Sequence, residues 1–135
     1  MSDTSITSQD IRIWGAQNRV TCPGRTRADK GREGMSASYQ DGDPINIRLG
    51  MLGLGDVALT SVNAEVYSPI SLRMKKQSPM AHTVMVTLAN GAANSGYISD
   101  DASFSHNSFQ VLSSRLKQGC AKGACRWLDG LGESV

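Results

Sequence analysis

Ile45-Asn46-Ile47-Arg48-Leu49-Gly50-Met51-Leu52-Gly53-Leu54, then Gly55-Asp56, then Val57-Ala58-Leu59-Thr60-Ser61-Val62, is the stretch that decides the fold. Ile45, Ile47 and Leu49 alternate with Asn46 and Arg48, the period of a strand with one buried face. Gly53, Gly55 and Asp56 supply turn chemistry, and Val57 to Val62 form a second strand, so the pair predicts a β-hairpin. Downstream, Ser68-Pro69 reads as an N-cap followed by a proline at the first helical position. The helix runs over Pro69 to Gln77, with Ile70 and Met74 one turn apart on its apolar side, and Ser78-Pro79 ends it.

Val84, Met85, Val86 and Leu88 make a nearly continuous apolar run, which predicts a strand covered on both faces. Asp100-Asp101 can begin a short helical turn, and Phe109, Val111 and Leu112 read as another short strand. From Gly119 a closing helix is expected, with Cys120, Ala124, Trp127 and Leu128 on its apolar side. Residues 1–43 lack clear periodicity and are rich in Gly, Ser, Thr, Asp and Arg; they predict an irregular arm or loop with little core. The expected fold class is mixed α/β in the α+β sense: a partial domain with a β-hairpin, further short strands to about four or five, and about two helices. No internal repeat is visible.

A length of 135 residues allows one modest domain, and 19% charged residues is too few for a highly charged disordered chain. The net charge of +2 gives no argument for a nucleic-acid partner. Arg25, Arg27, Lys30 and Arg32 cluster, but Asp29 and Glu33 are interleaved with them, as in a solvated loop. No run of about 18 apolar residues offers a membrane span, and Met1 to Asp10 shows no signal-peptide pattern. Localisation is not readable. Cys22, Cys120 and Cys125 have no metal-site spacing; buried thiols are expected, with a Cys120–Cys125 disulfide as the alternative.

Two apolar runs end in small-residue loops that deliver a residue able to bind a metal. Gly55 to Val62 leads to Glu65, and Thr83 to Leu88 leads through Ala89 to Gly96 to Tyr97. Alone, Glu65 reads first as a carboxylate favouring a helix start, and Tyr97 more often as a packing tyrosine with its hydroxyl satisfied. His82 and His106 form neither a His-x-His nor a His-Glu-x-x-His pattern. Asp41-Gly42-Asp43 lacks the rest of a calcium loop, and no Gly-x-Ser-x-Gly elbow exists.

The arrangement as a whole is more specific. Cys22-Pro23-Gly24-Arg25, Asp41-Gly42-Asp43-Pro44 with Ile47-Arg48-Leu49-Gly50, and Val62-Asn63-Ala64-Glu65-Val66-Tyr67 follow one another. After them come Met85-Val86-Thr87-Leu88-Ala89-Asn90-Gly91, Asn94-Ser95-Gly96-Tyr97-Ile98, Phe109-Gln110-Val111-Leu112, and Ser114-Arg115-Leu116-Lys117 with Gly119-Cys120-Ala121. In order and spacing these runs resemble the C-terminal part of the catalytic domain of the neutral/alkaline, non-lysosomal ceramidase family.

The resemblance implies a zinc-dependent amidohydrolase of sphingolipid metabolism, splitting N-acylsphingosine into sphingosine and fatty acid. In that family one zinc ion is held by two histidines, a glutamate and a tyrosine, and a serine takes part in amide cleavage. It places metal ligands at Glu65 and Tyr97. The histidines and the serine belong to the family's N-terminal half, whose motifs have no match here, so no catalytic residue is assigned. The expectation is a hydrolase fragment that is inactive alone. Its implied partners are ceramide or another N-acyl lipid amide, and the missing N-terminal half; full-length relatives are often exported. The alternatives are a complementing subunit and a non-catalytic binding domain derived from the family. Residues 1–43 are then an arm, 44–121 the C-terminal part of the catalytic domain, and 122–135 an atypical tail. In that tail, Cys125-Arg126-Trp127 interrupts what the family continues as an apolar helix, as a shifted reading frame would.

Overall fold

The computed structural model of the chain describes residues 11–28, 38–91, 94–124 and 126. They form an α+β fold with six strands and short helices. Strand β1 (Ile13–Arg27) pairs antiparallel with β2 (Tyr39–Leu54), and β2 pairs antiparallel with β3 (Val57–Val62). Strand β5 (His82–Val86) lies parallel to β3, giving a sheet in the order β1-β2-β3-β5. The chain crosses from β3 to β5 through the short β4 (Glu65–Val66) and helix α1 (Ser68–Gln77), the kind of connection a parallel pair requires.

The expected hairpin is present. Leu54 faces Val57 across a two-residue turn, and Gly55 takes φ +61° at its first position. A turn of the II′ kind demands that glycine, and its twist matches the twist of the strands it joins. Helix α1 is also where the sequence placed it, with Ile70 and Met74 buried. Its cap differs: the N-cap residue is Tyr67 and makes no side-chain capping bond, while Ser68 already lies in the helix.

Other expectations are corrected as well. The irregular arm expected over residues 1–43 contains regular structure, because 13–27 and the start of β2 form a long antiparallel ladder from Ile13 opposite Leu54 to Arg27 opposite Tyr39. Pro23 sits where the register slips between Cys22 and Gly24, a bulge that tolerates the missing N–H. A side chain at Gly24 would collide with the Asp43 carbonyl, so the close approach needs glycine. The arm residues 1–10 and 29–37 lie outside the described residues. Second, β5 is not covered on both faces. It is a sheet edge, with Val84 45% and Val86 40% exposed. Third, Phe109, Val111 and Leu112 belong to a helix, α2 (Phe109–Ser113), not a strand. The Ser108 hydroxyl accepts from the Val111 N–H at 3.4 Å and caps it, and a short buried apolar run reads the same in either state.

The core lies on one face of the sheet. Cys22, Ile47, Leu49 and Val62 pack there against Ile70, Ile98, Leu116 and the helical residues 120–124. Strand β6 (Tyr97–Ile98) pairs parallel with β4, and a 3₁₀ turn (Asp101–Ser105) follows it, as Asp100-Asp101 suggested. A disulfide joins Cys22 to Cys120, with Cα atoms 5.4 Å apart. The expected buried thiols and the alternative Cys120–Cys125 pairing are therefore both replaced: the partner of Cys120 comes from β1, at a sequence separation of 98. Cys125, Trp127 and Leu128 lie outside the described residues. Among the described residues no helix is long and apolar enough to cross a membrane.

Candidate functional site

Glu65 and Tyr97 stand opposite each other. The β4–β6 ladder pairs Glu65 with Tyr97 and Val66 with Ile98 in parallel register. The segment from Glu65 to Tyr67 gains its bonds from β6: the Glu65 N–H donates to the Gly96 carbonyl at 3.4 Å, and the Tyr67 N–H to the Ile98 carbonyl at 3.1 Å. Gly96 adopts φ +69°, in the left-handed region that favours glycine, and turns the chain into β6. The Ser114 hydroxyl donates to the Tyr97 carbonyl at 2.6 Å, and the Arg115 N–H donates to the Ser95 carbonyl at 3.0 Å. The strand carrying Tyr97 is thus held from both sides.

Both side chains are half-buried. The Tyr97 phenol is pushed above its ordinary pKa, first by its hydrogen bond to the Glu65 carboxylate, then by burial, then by the charges of Glu65 and Tyr67. A carboxylate that accepts a hydrogen bond from the phenol O–H stabilises the neutral phenol. Tyr97 also meets Phe109 edge-on, ring centroids 6.3 Å apart. The hydroxyls of Tyr67 and Ser108 lie 3.0 Å apart. Helix α2 therefore walls the pair on one side.

Sequence reading singled out Glu65 and Tyr97 but missed Tyr67, Ser108 and Phe109. Tyr67 was findable: it follows Glu65 by two positions, so an extended chain points both side chains to one side. Ser108 and Phe109 had no such signal, since α2 reaches the pair only through the tertiary fold. Leu88 and Asn90 also escaped notice; both are non-glycine residues with positive φ, 56° and 57°. The Leu88 N–H bonds the Ala64 carbonyl at 3.2 Å, so this uncommon conformation sits one residue before Glu65 in space.

The structure does not bring the two histidines to this site. His82 faces Asp56 at 3.8 Å beside the β2–β3 turn, with both side chains exposed, and His106 ends the 3₁₀ turn on the surface. Among the described residues no group of three or more His, Cys, Asp or Glu could hold a metal ion. Glu65 and Tyr97 offer two oxygen donors, which suits a share of a zinc ligand set and falls short of the three or more protein ligands such a site takes. Comparison with protein-family models, with curated proteins and with solved structures gives no match to this chain.

Proposed function

We propose that this chain is part of a zinc-dependent amidohydrolase resembling neutral ceramidase, inactive by itself, whose complete form hydrolyses N-acylsphingosine or another N-acyl lipid amide. What supports the reading is one observation: the two residues that the resemblance singles out as metal ligands, distant in sequence, are direct partners in the β4–β6 ladder. In this reading Glu65 and Tyr97 would hold the zinc together with two histidines from outside this chain. When bound, the zinc supplies Lewis-acid polarisation of the amide carbonyl and a water of lowered pKa. The chain's own residues do the rest of what is visible. Glu65 would supply a carboxylate oxygen to the ion, and Tyr97, whose hydroxyl now hydrogen-bonds Glu65, would offer its phenol oxygen. Phe109 and the Ser108–Tyr67 contact hold the ring orientations.

The edge of β5, open among the described residues, favours one version, in which the remaining ligands arrive on a second polypeptide that docks to this chain. The test is zinc content and ceramide hydrolysis of the purified chain, alone and mixed with the separately expressed N-terminal part of a ceramidase-family catalytic domain. The expected result is no turnover alone, turnover and one retained zinc in the mixture, and loss of both in Glu65→Ala and Tyr97→Phe. Turnover by the chain alone, or a mixture that associates yet binds no zinc, would overturn the reading.

A further inference from the structure

Among the described residues nothing covers the face of the four-stranded sheet opposite the core, and its residues fall in rows. Gly15, Leu52, Leu59 and Val84 line up across the strands, and Gln17, Gly50, Ser61 and Val86 form the next row. One row further, Arg19 lies directly opposite Arg48. Glycine and serine in the middle of the rows sink a trough between Leu52, Leu59 and Val86, a groove of about 610 Å³. A side chain at Gly50 would collide with the Ser61 hydroxyl, so the floor cannot rise there. The trough runs into a polar hollow of about 630 Å³ that holds Arg19 and Arg48, and the two share Gln17 and Asn90.

The two guanidinium groups are like charges on directly opposed positions, an arrangement that destabilises a strand pair. Among the described residues neither has a carboxylate partner within 4.0 Å. Arg48 gives one donor to the Asn90 carbonyl at 3.0 Å and keeps the rest of its fork. Among the described residues no acidic side chain lines either hollow. An apolar trough that ends in two unneutralised guanidinium groups is complementary to a chain-shaped molecule with an anionic head. We propose that this groove binds a single-chain carboxylate amphiphile, a fatty-acid anion, its acyl chain along Leu52, Leu59 and Val86 and its carboxylate between Arg19 and Arg48. Guanidinium forks pair with carboxylates through parallel charge-assisted bonds. The groove contains neither Glu65 nor Tyr97, so the inference stands apart from the function proposed above.

The test is calorimetric titration of the full disulfide-bonded chain with laurate below its micelle concentration, beside dodecyltrimethylammonium and phosphatidylglycerol vesicles. Laurate should bind one per chain and at least about ten-fold more tightly than the cation of equal chain length. The double charge reversal Arg19→Glu, Arg48→Glu should weaken laurate by at least about ten-fold. Gly15→Leu should fill the trough and abolish binding while the chain stays folded, because a Cβ there meets nothing nearer than the Met51 carbonyl oxygen at 3.6 Å. Equal affinity for laurate and the cation, undiminished laurate binding in the variants, or binding to the vesicles alone would each overturn the proposal.

Discussion

Glu65 and Tyr97 set a carboxylate and a phenol side by side on neighbouring strands. The phenol's pKa is raised above 10.0 chiefly by its hydrogen bond to Glu65. The folded chain therefore holds this proton more tightly than the unfolded one. That contribution to stability is complete below the unfolded pKa near 10.0 and is lost as pH rises through the higher folded value. Glu65→Gln should bring the Tyr97 midpoint back toward the ordinary phenol value and flatten the alkaline loss of stability. Tyrosine ring-carbon chemical shifts followed against pH, with a Tyr97→Phe chain to assign the signal, check this; an unmoved midpoint would show that the carboxylate does not hold the proton. The sequence drew attention to both residues, because each follows an apolar run that feeds a small-residue loop. Their pairing was not legible there, because register between β4 and β6 depends on everything folded between them.

At the scale of elements, the decisive connections tie the long β1–β2 ladder to the C-terminal segment. Arg25 stacks over the Tyr39 ring at 3.8 Å, and its guanidinium donates to the Val111 carbonyl and, at 3.1 Å, to the Ser114 carbonyl. The Tyr39 hydroxyl donates to the Leu112 carbonyl at 2.6 Å. Three carbonyls at the end of α2 are thereby satisfied from β1 and β2, which is how a five-residue helix survives. Burial lowers the Arg25 pKa, opposed by the charge of Tyr39. The Cys22–Cys120 bridge closes a sequence separation of 98 residues. By loop-closure entropy it should stabilise the fold by about 4 to 5 kcal/mol. Cys22→Ser is expected to lower the free energy of unfolding in urea by that order, and reducing agent should do the same to the unaltered chain and nothing further to the variant. The β2–β3 hairpin and α1 were legible because each carries its own period and its own turn or proline signal. Strand β1 was not: Asn18, Arg19, Pro23 and Gly24 break its alternation, and only pairing with β2 makes it a strand. Helix α2 was misread because five residues hold too little period to separate helix from strand.

For the molecule as a whole, the sheet has a buried face and a bare one, and its β5 edge is open among the described residues. Exposed edges pair with other chains. The chain should therefore self-associate as its concentration rises, and Val84→Lys should shift it toward monomer in sedimentation velocity runs. Because Val84 is exposed, that substitution should change stability by no more than about 0.5 kcal/mol. No such edge was expected from the sequence, which has four apolar residues within Val84 to Leu88 and reads as a strand sandwiched between layers. The sequence by itself determined the α+β class, the hairpin with its glycine turn and the proline-started helix, all of which depend on neighbours a few positions away. The tertiary structure alone decided the Cys22–Cys120 partnership, the β1 ladder, the place of β5 at an edge, and the meeting of Glu65 with Tyr97. Each of these joins residues far apart in the chain, and the free energy that selects them comes from burying one common core, to which no local stretch carries the key.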